Sequence, residues 1–319
     1  MTATSLPKRT WFAVVVLAGC AYSNAEILGE LEARARRAPD PVLDNVIAHD
    51  AVPTLQAPAQ TATLPMVEGR VPAVRGRING VDITLVLDTG TSAVVIPAEA
   101  ARAAAIYLPP GDPTDKVGPG HTSPCRLGAF STVELGPNRI VSGVALVPVD
   151  DRPGRWMELG TDRYAIVGCT VLSHFRVTFD FKKREVRLAP TGLPAYATPL
   201  LTHVRVNGRL LLLMVDSGAT TVFLEPWAAR DLDLISRDQM TRHDRRARSL
   251  SDAVFTRITL DRVEVGGHAF EDVDAAAVDT FGPLASSPPF RPGGLLGLTG
   301  FGDLVWTLDY GSQTLYVEP

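Results

Sequence analysis

Two short stretches place a carboxylate, a hydroxyl and a glycine at the end of an apolar run. They are Asp88-Thr89-Gly90-Thr91-Ser92 after "TLVL" and Asp216-Ser217-Gly218-Ala219-Thr220 after "LLMV". Taken singly, each is what a strand-closing turn looks like, because Asp and Gly both suit tight turns. Taken together they offer two carboxylates, and two carboxylates sharing one proton can serve as general base and general acid at one site. The hydroxyls of Thr89, Ser92, Ser217 and Thr220 are candidate donors to neighbouring backbone or to the carboxylates themselves. Gly90 and Gly218 let the chain turn sharply and let another backbone come close.

The elements that must position these residues occur twice. "RINGVDITLVLDTGTS" starts at Arg77 and "RVNGRLLLLMVDSGAT" starts at Arg205, 128 residues later. Downstream, "AIVGCTVLSHFRVTFDF" holds Gly168 and Asp180, and "GLLGLTGFGDLVWTLDY" holds Gly297 and Asp309, both pairs 129 residues apart. "VELG" at Val133 and "VEVG" at Val263 also correspond. Two repeats of roughly 120 residues, joined near residues 190–199, are the inferred organisation. Between Gly, Pro and Asn turns the runs are short and rich in Val, Ile, Leu and Thr, so the fold class expected is all-β. The Asn-Gly pairs Asn79-Gly80 and Asn207-Gly208 predict primed hairpin turns. The strands after them, 83–87 and 210–215, are apolar nearly throughout and should be covered on both faces. Short helices are expected only at 98–105, 227–232 and, ahead of the repeats, 26–38.

Asp-Thr/Ser-Gly after an apolar strand, followed much later by two apolar residues and a glycine (Ile166-Val167-Gly168; Leu295-Leu296-Gly297), resembles the retropepsin-like aspartic peptidases. The likeness covers residues 71–319 in two successive copies. It implies a two-lobed acid-protease fold, two retropepsin-like β-barrel repeats about a pseudo-twofold axis, each giving one aspartate to a shared cleft. It implies hydrolysis of peptide bonds by a water activated between Asp88 and Asp216, with no metal and no cofactor. Thr89 and Ser217 would then brace the two loops across the axis, and Gly90 and Gly218 would hold the carboxylates nearly coplanar through backbone N–H groups. With both half-sites in one chain, a monomer acting on a peptide or protein substrate is expected. The chain departs from the longer pepsin-like enzymes, whose first-lobe flap carries a tyrosine. The corresponding window here, 117–130, has none, and its glycines suit a backbone-contacting flap. A second flap is expected at 244–255, where "RHDRRARS" is basic. A peptide-binding protein using the same cleft without cleavage, or a structural envelope protein with the cleft collapsed, are the alternatives.

Other chemistry finds little support. A formal net charge of -4 gives no reason to invoke nucleic acid. There is no CxxC, HExxH or GxSxG, so His121, His174 and His243 read as surface or packing residues. Asp180 and Asp309 read as turn or hydrogen-bonding residues. Cys125 and Cys169 form either one disulfide or two buried thiols. At the N-terminus Lys8 and Arg9 precede an apolar run, 11–17, too short to span a bilayer, and "LAGC" ends at Cys20. This resembles the lipobox of bacterial lipoproteins, which implies a leader at 1–20, a lipid on Cys20 and a periplasm-facing protein held on the membrane. Cleavage after Ala25, giving a secreted protein, is the competing reading. Residues 21–70 would be a tether with a reach of about 40 Å, or a propeptide. The first lobe would then span 71–190 and the second 191–319.

Overall fold

Each repeat starts at its Asn-Gly turn. Both residues of each pair have positive φ, 50 and 79° at Asn79 and Gly80, 46 and 82° at Asn207 and Gly208, as a primed turn requires. The Asn side chains then cross to a neighbouring strand: Asn79 Oδ1 accepts the N–H groups of Ser131 and Thr132, and Asn207 Oδ1 accepts that of Arg262. The structure is a computed structural model that describes residues 2–5, 53–109, 113–118, 121–149, 161, 163–192, 199–236, 256–281, 292–302 and 304–319. Cys20, His243, the helix expected at 26–38 and the second flap fall outside the described residues.

In the first lobe Ala73–Ile78 and Val81–Leu87 form the hairpin, and the sheet continues through Tyr164–Val167, Val94–Val95, Asn138–Pro148 and His121–Leu135. The last strand returns to the first at Ile78↔Val133, closing a six-strand barrel. The second lobe repeats this with Leu201–Val206, Arg209–Asp216, Gly294–Gly297, Val222–Leu224, His268–Ala277 and Thr256–Val265, and closes at Val206↔Val263. The matching "VELG" and "VEVG" stretches are therefore the closing strands. Short helices lie at Ala98–Ala103 and Pro226–Asp231.

A third sheet joins the lobes. Phe175–Asp180 pairs antiparallel with Val305–Asp309, flanked by Glu185–Pro190 and Ala62–Pro65 on one side and by Thr314–Glu318 and Thr2–Ser5 on the other. Thr178 and Thr307, repeat-equivalents 129 residues apart, face each other with their hydroxyls 2.8 Å apart, which marks the pseudo-twofold axis. Nearby, Asp309 accepts from Arg176 Nε and from the N–H groups of Gly311 and Ser312, and Asp180 accepts from the N–H of Lys183. Burial alone would raise the Asp309 carboxyl, but these donors hold it below its ordinary value. One apolar core runs through both lobes and the joining sheet, from Val74 and Leu85 through Phe179 and Trp306 to Leu213 and Leu296.

Two expectations need correction. The stretch 53–66 is not free tether: Thr54–Leu55 pairs with Asn138–Pro148, Ala62–Pro65 with Glu185–Pro190, and Met66 bridges to Val74. These strands are too short to show a period, and their partners lie far along the chain. The strand entering the second motif is not covered throughout: Leu210 is 58% exposed, because Arg209 and Leu210 lie at the barrel rim where the hairpin begins.

Candidate active site

Each aspartate emerges from the middle of its barrel. Val81–Leu87 is held by Ala73–Ile78 on one side and, in parallel, by Tyr164–Val167 on the other. The Asp88 N–H donates to Val167 O at 3.0 Å, after which the chain turns and Thr91 N–H donates back to Asp88 O at 3.3 Å. That turn puts two donors on the Asp88 carboxylate: Gly90 N–H to Oδ1 at 2.8 Å and Thr91 Oγ1 to Oδ2 at 2.7 Å. In the second lobe Asp216 sits opposite Gly297 in the parallel pair. Its Oδ1 accepts the N–H groups of Gly218 at 2.8 Å and Ala219 at 3.0 Å.

The apolar-apolar-Gly motif explains itself sterically. Its strand runs parallel to the aspartate strand, and the turn after the aspartate folds over its end. A Cβ on Gly168 would stand 2.3 Å from Thr91 O and 2.6 Å from Ala93 O; one on Gly297 would stand 2.1 Å from Thr221 O. Backbone cannot yield there as a side chain can, so only glycine fits. Gly168 N–H then donates to Ala93 O and Gly297 N–H to Thr221 O, each at 3.1 Å, tying the two motifs of a lobe together.

Across the axis the two loops are locked reciprocally. Thr89 N–H donates to Ser217 Oγ and Ser217 N–H to Thr89 Oγ1, both at 3.0 Å. Thr89 Oγ1 donates to Val215 O at 2.9 Å, and Ser217 Oγ to Leu87 O at 2.6 Å. Both side chains have zero exposure, so every one of these bonds is shielded from water. The lock also sets the carboxyls against each other. A Cβ on Gly90 would stand 2.5 Å from Asp216 Cγ, and one on Gly218 would stand 2.7 Å from Asp88 Cγ.

The pair is electrostatically unequal. Asp216 is 7% exposed, whereas Asp88 is half-buried. Burial pushes the Asp216 carboxyl well above its ordinary value, and the charge of Asp88 and a hydrogen bond with Asp88 push it further. The N–H groups of Gly218 and Ala219 offset only part of this. The two carboxyls thus form one coupled pair, in which burial and the neighbouring carboxylate favour the protonated form of Asp216.

The remaining predicted residues divide. Thr89, Gly90, Ser217 and Gly218 surround the pair. Ser92 and Thr220 do not serve it: Ser92 is buried with its carbonyl accepting from Thr170 N–H, and Thr220 is exposed. The hydroxyl that reaches a carboxylate belongs to Thr91, three residues after its aspartate, where the turn brings the chain back over Oδ2. Its counterpart is Ala219, which has no hydroxyl. Cys125 and Cys169 are buried thiols and not joined in a disulfide. His174 is a packing residue whose Nε2 lies 2.8 Å from Pro53 O. In the window expected for a first flap, Thr114–Gly118 pairs with His121–Leu135 as a hairpin. Two clefts of about 540 and 530 Å³ lie away from the pair, one on the outer face of the first barrel beside Arg75 and Glu134, the other beside the joining sheet at Lys183. Their rims carry opposed charges and no group with perturbed chemistry comparable to Asp216. Among the described residues no group of His, Cys, Asp and Glu is placed to hold a metal.

Comparison with known proteins gives one result of weight. A family model described as aspartyl protease matches residues 74–165 and again 202–299, which together make up more than half of the chain. Each matched stretch holds one Asp-Thr/Ser-Gly turn. No curated protein matches this chain.

Proposed function

Since the chain belongs to the aspartyl protease family, we propose that it is an endopeptidase that hydrolyses peptide bonds with a water held between Asp88 and Asp216. The observation that carries this reading is that two carboxyls of unequal burial face each other, held by a reciprocal lock between their loops. Asp88, ionised, takes a proton from the water as its oxygen attacks the carbonyl carbon. Asp216 gives its proton to the carbonyl oxygen, so a neutral tetrahedral diol forms and the charge passes to Asp216. Collapse reverses the roles: the proton gained by Asp88 goes to the leaving amide nitrogen, a diol proton returns to Asp216, and the C–N bond breaks. Atoms and protons balance with no metal and no cofactor. The substrate would be an extended peptide lying across the axis, and one chain supplies both carboxyls.

The test is cleavage of a peptide library by the full chain from acid to neutral pH, with binding of a hydroxyl-bearing mimic of the diol measured beside it. Products with new termini inside the peptides, and a mimic bound far more tightly than substrate, are expected. Peptide binding with no products and unchanged by Asp216→Asn would replace this reading by the binding module.

We also propose that Cys20 carries a lipid and fixes the protein on the periplasmic side of a bacterial envelope, on the support of Lys8, Arg9, the apolar run and "LAGC". Processing at that point removes Thr2–Ser5 and leaves Thr314–Glu318 as a sheet edge. Mass spectrometry of the mature N-terminus decides it: an acylated Cys20 is expected, and a free terminus at Glu26 or an intact Met1 would overturn it.

A further inference from the structure

We propose that Cys169 is a positioning residue for Asp88, acting with Tyr310 through the peptide group between Thr89 and Gly90 to keep the charge of the pair on Asp88. This rests on the reading of Asp88 and Asp216 as a working pair. Cys169 follows Gly168 directly, at the start of the helical turn Cys169–Leu172, and is fully buried. Its Sγ lies 3.2 Å from Thr89 O and donates to it. The N–H of that same peptide group belongs to Gly90 and donates to Asp88 Oδ1 at 2.8 Å. The Tyr310 hydroxyl lies 3.7 Å from Sγ. A thiol has one proton, and Thr89 O takes it, so Tyr310 is the donor in the second contact. The result is a one-way chain from Tyr310 O–H to Cys169 S–H to the Thr89–Gly90 peptide to Asp88, in which each donor polarises the next.

The second lobe has no such chain. The residue after Gly297 is Leu298, and the aromatic at the place of Tyr310 in the first lobe is Phe181. Both substitutions delete the polar atom while keeping bulk. Thr91 and its counterpart Ala219 also differ: Thr91 gives Asp88 a hydroxyl donor where Ala219 gives Asp216 only its backbone N–H, so both departures from symmetry put polar side chains on the Asp88 side. The titratable groups facing the thiol are Tyr310 from the joining sheet and Asp88 and Asp216 across the Thr89 loop, with no cation among them. Burial pushes the thiol up to about 12, and the two carboxyls add to this against the Tyr310 contact, so it keeps its proton wherever the pair works.

The proposal separates the two steps in which the pair titrates. The chain stabilises Asp88 whenever it is charged, in the singly and the doubly ionised pair alike. Losing it should therefore raise the acid step and leave the alkaline step in place. The experiment follows the aspartate side-chain carbons by NMR in the full chain, with kcat/KM against pH measured in parallel, for Cys169→Ala, Cys169→Ser and Tyr310→Phe. In Cys169→Ala and Tyr310→Phe the acid step and the acid limb should move up by about half a pH unit, the worth of one polarising hydrogen bond. Cys169→Ser, which keeps a donor, should return toward the parent. An unmoved acid step in both donor-deleting variants overturns the proposal, as does an equal movement of both limbs. Tyr310→Phe carries the test if Cys169→Ala fails to fold, since Phe181 occupies the lobe-related place. Failure of the parent chain to cleave any peptide would count against the endopeptidase reading, whereas the carboxyl titration would still decide this one.

Discussion

The two aspartate loops share a backbone and differ in their donors. Thr89 and Ser217, 128 residues apart, exchange two hydrogen bonds and each donates a third to a strand of the other lobe, and Gly168 and Gly297 wedge under their turns for the same steric reason. Yet the Asp88 carboxylate receives a hydroxyl from Thr91 and a peptide N–H backed by Cys169, while Asp216 receives two backbone N–H groups alone. What duplication supplied twice is what holds the carboxyls together. What has since diverged is what tells them apart, and the proposed mechanism, with one proton on a defined side, calls for both.

The strongest way to break the symmetric part is Gly168→Ala or Gly297→Ala. With backbone oxygens at 2.3 and 2.1 Å from the added carbon, either should cost upward of about 5 kcal/mol and unfold the lobe under mild denaturant. A melting curve like the parent's would refute the wedge. Ser217→Ala comes next, because it leaves Thr89 N–H and Leu87 O buried without partners. Two orphaned groups, each costing a few kcal/mol at most, amount to roughly 2 to 6 kcal/mol, readable by urea titration. If the lock is reciprocal, Thr89→Ala should cost about the same and the double variant much less than the sum.

A third comparison sets Glu225 against Pro97, its counterpart in the first lobe. Glu225 is buried, its Oε1 accepting the N–H groups of Thr280 and Phe281 at 2.7 and 3.1 Å. Burial raises its carboxyl from 4.5 to about 7, with the Asp279 charge adding and those N–H groups opposing. A folded-state value above the unfolded one means that the folded chain binds the proton more tightly. Stability is then greatest below about 4.5 and falls as the pH climbs to about 7, by at most about 3 kcal/mol. In Glu225→Gln that slope should largely vanish; persistence of the full slope would assign it elsewhere. The smallest effect sharpens the asymmetric part. Thr91→Ala makes the first turn resemble the second and should raise the acid limb of the activity profile by about one pH unit, since a hydrogen bond to a charged group is worth about 1.5 kcal/mol. No shift would mean that the hydroxyl does not hold the Asp88 charge.

Much of this was legible because it was written twice. The recurrence of Asn-Gly, aspartate and glycine at nearly constant offset marks the two lobes, and the resemblance to the retropepsin-like peptidases that the repeat carries implies the axis and the shared cleft. Residue type points to Ser92, but the hydroxyl that reaches Asp88 is that of Thr91, because the turn's hydrogen bond from Thr91 N–H to Asp88 O decides which side chain comes back over the carboxylate. The strands at Thr54–Leu55 and Ala62–Pro65 left no pattern, because their order comes from partners more than 80 residues away. The thiol chain was hidden for the same reason: Cys169 and Tyr310 lie 141 residues apart and meet only through the joining sheet.

The most direct test of the central claim is turnover of the best library peptide by Asp88→Asn and Asp216→Asn, with folding checked by melting. Two carboxyls acting as one unit predict that each variant keeps its fold and loses at least about a thousandfold in kcat, with the double variant no worse than either single one. Normal turnover in either single variant, or losses that multiply in the double, would contradict a shared site.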